Sequence, residues 1–357
     1  MIALAAFCLL GIPIGFLLLW RLPTCGPDGS ACIDPISIII PARNEEANLP
    51  RLLGSIRDSA SQPAEVLVVD DASTDATAAL AESGGARVLR SKYLPYGWTG
   101  KTWACHQGAL EAGSGILLFL DADTYFSRDG FRKMAGAYHG LGKSRTAMSV
   151  LPYHAMQKLY EELSLFFNLL MAMGAGGFGL LGDPQLFGQS LMISRDLYGA
   201  GGGHQAVSSH ILENLALASK VKSVGGRSVC FAGRGTLSMR MFPDGLSQLC
   251  EGWTKAFADG AAASSRLVLV TAVFWLTALS TSFLALLLAT GMGRATFGML
   301  YLGFAFQLFF FARQIGNFSP VTCLLYPIPL LFYFGLFAQS LYRKVLGRRV
   351  SWRGRTI

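Results

Sequence analysis

The chain has 357 residues, of which 52% are hydrophobic and 15% are charged, and its formal net charge is +8. Soluble proteins carry roughly 25% charged residues, so this composition argues against a wholly soluble protein and excludes an intrinsically disordered one. At ~150 residues per domain, the length predicts about two domains.

The N-terminus predicts a membrane anchor over residues 1–22. Met1 to Trp20 is an apolar run without charge, and about 20 apolar residues span a bilayer. The run lacks the basic n-region and the small-residue cleavage site of a signal peptide. Arg21 follows it and is expected on the cytoplasmic side.

From residue 34 the chain alternates between predicted strands and helices. Continuous apolar runs are typical of strands buried on both faces, and they lie at 36–40, 65–69, 88–89, 115–120 and 147–151. Helical spacing predicts helices over 45–60, after Asp75 as far as Ala81, and over 103–112. Ser73 and Asp75 can cap the second of these helices. The alternation predicts a Rossmann-like α/β fold with a mostly parallel sheet.

Acidic residues follow two of the predicted strands directly. Asp121 and Asp123 form a D-x-D motif after one strand, and Asp70 and Asp71 end another. Ligands of such sheets bind outside the carboxyl ends of the strands. Two carboxylates placed there suit Mg²⁺ or Mn²⁺, which would also hold substrate phosphates.

Two further motifs add cations to the same edge of the predicted sheet. P-A-R-N-E-E, residues 41–46, follows the first strand, and its Arg43 offers a planar fork of donors to a phosphate or a carboxylate. In W-T-G-K-T-W-A-C-H-Q-G, residues 98–108, Lys101 can meet a phosphate as a point charge. Together the motifs predict a pocket for a nucleotide diphosphate.

The stretch 156–181 has two interpretations. It is rich in Leu, Phe and Met, and its first half has an amphipathic helical period. It is either a core helix or an interfacial helix that opens the site to the bilayer. Because apolar segments flank the chain at both ends, we favour entry of an acceptor from the lipid side.

The C-terminal third predicts membrane segments over residues 266–342. Apolar runs cover 267–290, the marginal stretch 295–312, and 321–341. The tail, 343–357, is basic throughout, which is typical of a cytoplasmic segment near anionic lipids. Three crossings would place the tail outside, so one segment is expected to be re-entrant or interfacial, with the run ending at Arg313 as the candidate.

The seven cysteines do not predict a disulfide framework in a chain of this size. Cys25 and Cys32 flank a Gly/Pro loop and could pair outside the cytosol. Scattered reduced thiols are the favoured interpretation.

Taken in order, P-A-R-N-E-E, V-V-D-D-A-S-T-D, G-K-T-W-A-C and D-A-D resemble family 2 glycosyltransferases with a GT-A fold. Further motifs resemble the membrane-bound carotenoid-acid glycosyltransferases of that family: L-P-Y-H ending at His154, G-G-H ending at His204, and E-G-W-T-K from Glu251 to Lys255. The resemblance extends from about residue 36 to 355. It implies a catalytic domain over 34–265.

The resemblance implies a role for each matching residue. Arg43, Glu45 and Asp71 would line the nucleotide pocket, and Lys101 would approach the nucleotide or its diphosphate. Asp121 would lie near the ribose or the metal, and Asp123 would ligate the metal. The candidates for acceptor contacts are His154, His204, Gln248, Trp253 and Lys255. The implied reaction is inverting transfer from a UDP-sugar, UDP-glucose above all, to a lipid acceptor, with Mg²⁺ or Mn²⁺ and without nucleic acid.

Two positions depart from the family pattern. The family often uses the Asp of a Glu-Asp pair as catalytic base, whereas this chain has Glu213 followed by Asn214. Asn cannot act as a base, so Glu213 is the candidate, with His210 as a weaker one. The (Q/R)-x-x-R-W motif of processive members is replaced by Q-L-C-E-G-W, residues 248–253, which argues against a processive polymerase.

Three alternatives remain open at this point. The acceptor could be a lipid alcohol, such as a hopanoid or a sphingolipid, instead of a carotenoid acid. The chain could be a non-catalytic membrane protein that binds nucleotide sugars. A small-solute transporter is disfavoured because the predicted spans are few and half of the chain is a polar α/β unit.

Overall fold

A computed structural model of the chain describes residues 1–26, 34–174, 177–210, 212–263, 265–345, 351–352 and 355–356. It divides into two compact units. The sheet unit comprises Pro23–His154 and Pro184–Arg240, and the helical unit comprises Met1–Leu22, Ala155–Asp183 and Met241–Ile357. Residues 155–183 and 241–265, which the predicted catalytic domain 34–265 includes, belong to the helical unit.

The sheet unit is built on a mixed sheet of seven strands in the order β3-β2-β1-β4-β8-β6-β9. The strands are β1 Ile36–Ala42, β2 Glu65–Asp70, β3 Arg87–Arg90, β4 Ile116–Leu120, β6 Thr146–Leu151, β8 Ser190–Ser194 and β9 Arg227–Ala232. The neighbouring strands β3, β2, β1 and β4 are all parallel, whereas β8 runs antiparallel to both β4 and β6. The predicted α/β fold with a mostly parallel sheet is confirmed.

Both faces of this sheet are buried, as its continuous apolar strands predict. Alternate residues of β1 serve the two faces: Ile38 and Ile40 pack in one apolar cluster, and Ile39 packs in the other. The helices that cover the sheet are α2 Leu49–Arg57, α3 Thr77–Ser83, α4 Gly100–Glu111, α5 Gly130–Gly140, α7 Arg195–Ala200 and α8 Glu213–Ser223.

A small three-stranded sheet lies beside the large one, in the order β5-β10-β7. Its strands are β5 Thr124–Phe126, β7 Tyr153–His154 and β10 Leu237–Met239. The short strands β11 Ser351–Trp352 and β12 Arg355–Thr356 pair in the basic tail. Residues 346–350, 353–354 and 357 of the tail lie outside the described part.

The helical unit contains α1 Ile2–Leu18, α6 Leu165–Gly174, α9 Leu246–Ala263, α10 Arg266–Leu288, α11 Gly291–Ile315, α12 Pro320–Leu324 and α13 Pro327–Val345. Two of the described helices, α10 and α11, are long and apolar enough to cross a membrane, while α1 and α13 are shorter apolar helices. The prediction that 295–312 is marginal is wrong, because α11 has 25 residues.

Helix α1 packs on α10 and α11 through small residues. A Cβ atom at Gly11 would lie 2.4 Å from the Cβ of Ala278, and one at Gly15 would lie 2.6 Å from the side chains of Gln307 and Trp275. The Gln307 side chain joins the three helices, since it accepts from Trp275 Nε1 (2.9 Å) and donates to the Ile12 carbonyl (2.6 Å).

Helix α6 occupies a buried place within the helical unit. It packs against α9, α10, α11 and α13, and seven of its ten residues are buried. Within the stretch 156–181, the structure therefore matches the interpretation as a core helix over α6.

Candidate active site

Three charged side chains from different parts of the sequence meet in the sheet unit. Lys101 stands in the first turn of α4, Asp121 directly follows β4, and Glu213 begins α8. The Nζ atom of Lys101 lies 2.7 Å from Asp121 Oδ1 and 2.8 Å from Glu213 Oε1. It also donates to the Gly188 carbonyl at 2.9 Å. We call Lys101, Asp121 and Glu213 the charged triad.

Burial and charge shift the pKa values within the triad. Burial alone would lower the pKa of Lys101, but the carboxylates of Asp121 and Glu213 raise it above its ordinary value. Burial raises the pKa of Glu213, Lys101 opposes that rise, and Asp121 adds to it. Lys101 therefore stays charged, while Glu213 becomes a stronger base than an exposed carboxylate.

A small cavity, partly open to solvent, adjoins the triad. Cys105 and Phe119 form part of its apolar wall, and Gly188 borders it where a Cβ atom would lie 3.9 Å from both Glu213 Oε1 and Lys101 Nζ. His204 also lines the cavity, so one predicted acceptor residue lies beside the predicted base.

The D-x-D motif forms a tight turn at the carboxyl end of β4. The carbonyl of Asp121 accepts from the Thr124 backbone nitrogen (3.1 Å) and from its hydroxyl (2.7 Å). Asp123, which lies between Asp121 and Thr124 in the sequence, is half-buried. The turn places two carboxylates next to the triad at the edge where α/β sheets bind ligands.

The loops after β1 and β2 are joined by side-chain hydrogen bonds. Arg43 donates to the Asp71 carbonyl at 2.9 Å, and its Nη1 lies 3.9 Å from Asp71 Oδ2. Glu45 is buried and accepts from Asn48 at 2.8 Å.

Ser73 accepts from the Asn44 backbone nitrogen, so its predicted role as a cap of α3 is wrong. Asp75 does accept from the Thr77 nitrogen at the start of α3.

Of the other four predicted acceptor residues, the cavity lining includes none whose side chain the structure describes. His154 is buried on β7, and neither ring nitrogen has a hydrogen-bond partner among the described residues. Gln248, Trp253 and Lys255 belong to α9 of the helical unit. Trp253 is buried, stacks on Phe167 and donates to Ser164, and Gln248 bonds to Asp244. The Lys255 side chain lies outside the described part.

The geometry adds residues that the sequence motifs did not single out. Asn214, the departure from the family pattern, is buried and donates to the Phe187 carbonyl at 2.6 Å. It thereby holds the loop whose next residue, Gly188, accepts from Lys101. Gly188 and Gln189 directly precede β8, a strand that the sequence analysis did not predict. Its apolar S-L-M-I-S pattern was the signal that could have found this loop.

Two further residues considered from the sequence, His210 and Cys25, are not members of the charged triad. His210 is exposed and precedes α8. Cys25 is a buried free thiol, and its suggested partner Cys32 lies outside the described residues.

Residues 37–197 match the model of glycosyl transferase family 2. The chain is 33% identical over 329 residues to the 4,4'-diaponeurosporenoate glycosyltransferase of Staphylococcus aureus strain MRSA252, an alignment that covers 90% of this chain and 87% of that protein. The protein of the same name from strain USA300 gives the same identity and coverage.

Among solved structures, the chain is similar to a mannosyltransferase of Pyrobaculum calidifontis in complex with GDP-Man and Mn²⁺. The TM-score is 0.57 at 16% identity, and the match covers 96% of this chain and 99% of that one. At this identity the match supports the fold.

Proposed function

The chain belongs to glycosyl transferase family 2, and from this premise we propose that it transfers glucose from UDP-glucose to the carboxyl group of a carotenoid acid. The product is a glycosyl ester. The observation that carries the proposal is the charged triad of Lys101, Asp121 and Glu213 at the ligand-binding edge of the sheet. The named relatives, 33% identical over nearly the whole chain, support the acceptor class.

The donor would bind across the carboxyl ends of β1, β2 and β4. Arg43 and Asp71, joined through one hydrogen bond, line the nucleotide side together with Glu45. Lys101 brings a fixed positive charge to the diphosphate side. A phosphate next to Lys101 would replace a carboxylate as its partner, since both are anionic oxygen acceptors.

The residues at the end of β4 fit a divalent metal ion. Asp121 and Asp123 offer two hard oxygen ligands. Among the described residues, no group of three or more His, Cys, Asp or Glu side chains is arranged to hold a metal ion, so the protein itself would supply only these two. Mg²⁺ and Mn²⁺ sites commonly use one or two carboxylates and complete their shell with substrate phosphates and water. Such an ion, when bound, supplies Lewis-acid stabilisation of the departing diphosphate.

The reaction exchanges one bond at the anomeric carbon. An acceptor oxygen forms a bond to the anomeric carbon. At the same time, the bond between the anomeric carbon and the β-phosphate oxygen breaks, and its electron pair leaves with UDP. Lys101 stabilises the charge that develops on this leaving group, because its ammonium group is held in place by its contacts to Asp121 and Glu213. Attack from the face opposite the leaving group inverts the configuration.

The chemistry of the acceptor determines what Glu213 has to do. A carboxylic acid is already ionised near neutral pH, so its oxygen attacks without losing a proton. A lipid alcohol must lose its proton as it attacks, and Glu213, with its raised pKa, is the base placed to take it. The buried Glu213 is therefore the observation that favours a lipid alcohol as the second candidate acceptor.

We propose that the enzyme is held in the membrane with the sheet unit in the cytoplasm. Exposed apolar residues cover the outer faces of α10 and α11, among them Val270, Val273, Met299 and Phe306. If α1, α10 and α11 cross, the chain after Ile315 is again cytoplasmic, as the basic tail requires. The interfacial segment is then α12 and α13, not the run ending at Arg313.

Helix α13 has the pattern that an interfacial position needs. Leu331, Phe334 and Leu341 are exposed along one stripe. On the other face, Leu336 is buried and the Ser340 hydroxyl bonds to the Thr254 carbonyl. Such a helix lies with one apolar face in the acyl boundary.

The proposal is tested by sugar transfer in reconstituted proteoliposomes. UDP-glucose and Mn²⁺ or Mg²⁺ are supplied with a carotenoid acid, a hopanoid alcohol or a sphingoid lipid, and products are read by mass spectrometry. We expect a hexosylated carotenoid acid, absent in the Asp123→Ala variant. Hexosylation of an alcohol alone would overturn the acceptor and retain the donor chemistry.

A further inference from the structure

The motif Gly202-Gly203-His204 builds a buried pair between His204 and Tyr198. The Tyr198 hydroxyl lies 2.9 Å from His204 Nδ1 and accepts from the His204 backbone nitrogen at 3.0 Å. Gly203 makes this approach possible: its φ is +53°, and a Cβ atom there would lie 2.6 Å from the Tyr198 ring. Any larger residue at 203 would separate the two side chains.

These contacts assign the protons. The Tyr198 hydroxyl has one hydrogen, and the His204 backbone N–H already donates to its oxygen. Tyr198 is buried, and His204 Nδ1 is the acceptor that its hydroxyl hydrogen reaches within the described part of the chain. We therefore assign this hydrogen to the bond with Nδ1, which acts as an acceptor. A neutral imidazole with an accepting Nδ1 carries its hydrogen on Nε2.

Within the described part of the chain, the hydrogen bonds of His204 all go to Tyr198, and the ring lines the cavity beside the charged triad. Phe119 holds the ring from the side, with centroids 4.8 Å apart. The imidazole is thus fixed in position, and its Nε2–H is an uncharged donor in the cavity that Lys101 and Glu213 also line.

We propose that His204 positions the acceptor, by donating a hydrogen bond from Nε2 to an oxygen of the acceptor's reacting group. The inference rests on the proposed function and adds a named contact to it. Burial, with Lys101 and His106 adding to it, lowers the pKa of His204 to about 3. The ring therefore remains an uncharged donor at neutral pH, which suits an acceptor oxygen that must keep its nucleophilicity.

The test compares three variants of the full-length protein in proteoliposomes. His204→Gln keeps a terminal N–H donor near the position of Nε2, His204→Phe removes it, and His139→Gln is the control at an exposed histidine. Steady-state rates are measured separately against the lipid acceptor and against UDP-glucose, and UDP affinity is measured by calorimetry.

We expect His204→Phe to lower kcat/KM for the acceptor about tenfold, as for the loss of one hydrogen bond, while the affinity for UDP changes less than about twofold. His204→Gln should recover most of that loss. An unchanged kcat/KM in His204→Phe, or a loss confined to UDP-glucose, would overturn the inference. Failure of the unmodified protein to bind UDP or transfer sugar would instead contradict the proposed function.

Two measurements remain informative if His204→Phe does not fold. Tyr198→Phe removes the hydroxyl that fixes the tautomer, so it should slow turnover in the native background and have little further effect in His204→Gln. Nitrogen NMR of the ¹⁵N-histidine-labelled protein at pH 7 should show one buried imidazole protonated on Nε2. The Nδ1–H tautomer at His204 would overturn the assignment.

Discussion

The Nζ atom of Lys101 lies 2.8 Å from Oε1 of Glu213. The contact joins the start of α4 to the start of α8 and neutralises a carboxylate that is almost completely buried. The same ammonium contacts Asp121 of the D-x-D turn. One lysine thus connects the proposed donor side of the site with the proposed base.

Replacement of Lys101 tests whether its charge acts on the leaving group. Lys101→Met should lower kcat by about 10²–10³-fold, the range found when one donor to a developing oxyanion is removed. Lys101→Arg keeps the charge and should retain more activity. Because Lys101 lowers the pKa of Glu213, Lys101→Met should also move the acidic limb of the pH profile with an alcohol acceptor to higher pH. Equal activity of the Met and Arg variants would contradict this role.

Glu213→Gln distinguishes the two acceptor classes. With a carotenoid acid, whose carboxylate needs no deprotonation, we expect kcat to fall less than about tenfold; with an alcohol, removal of a general base costs about 10²–10⁴-fold. Both rates are measured on one preparation, so incomplete folding affects them equally. A large loss with the carotenoid acid would show that Glu213 does more than accept a proton.

The predicted metal ligand Asp123 is tested by metal binding. Asp123→Asn should weaken Mn²⁺ binding in the presence of UDP by at least about tenfold, because a hard cation loses a charged oxygen ligand. Electron paramagnetic resonance of free Mn²⁺ measures the affinity directly. Asp129→Asn is the matched control, since Asp129 pairs only with Arg132 among its ion-pair contacts within the described part. Similar Mn²⁺ affinity in both variants would exclude Asp123 as a ligand.

Gln307 is expected to stabilise the helical unit. Gln307→Leu removes the hydrogen bonds to Trp275 and to the Ile12 carbonyl, and side-chain bonds between membrane helices contribute ~0.6 kcal/mol on average and up to ~1.7 kcal/mol. Unfolding in detergent measures the loss. Gln314→Leu is the control, because Gln314 bonds only within α11 in the described structure. Equal stability of the two variants would show that the Gln307 bonds are not stabilising.

The sequence predicts the large sheet well where strands are apolar on both faces. The runs that became β1, β2 and β4 show no other pattern, and the acidic residues at their ends are where the motifs place them. The short strands β5, β7 and β10 were not predicted, because two or three residues are too few to show a period. Strand β8 was not predicted, because alternating strands and helices indicate parallel strands. Nothing in that alternation indicates an antiparallel strand between β4 and β6.

The site was also predicted only in part, because motifs do not show contacts between residues that are far apart in sequence. Lys101, Asp121 and Glu213 are far apart in sequence, and motif order alone cannot state that one ammonium contacts both carboxylates. The Tyr198–His204 pair depends on the positive φ of Gly203, which the letters G-G-H do not specify. The resemblance implies an acceptor contact for Trp253, but the motif E-G-W-T-K does not show that the indole is buried against Phe167.

If the site joins glucose to a carboxylate oxygen, the product is an ester and its lability reveals the bond. We would treat the product that the reconstituted enzyme forms from labelled UDP-glucose and a carotenoid acid with hydroxylamine at mildly alkaline pH. A glycosyl ester releases its label under these conditions, so we expect complete release together with a carotenoid hydroxamate. A product that keeps its glucose would be an acetal formed with a hydroxyl group, and would contradict transfer to the carboxylate.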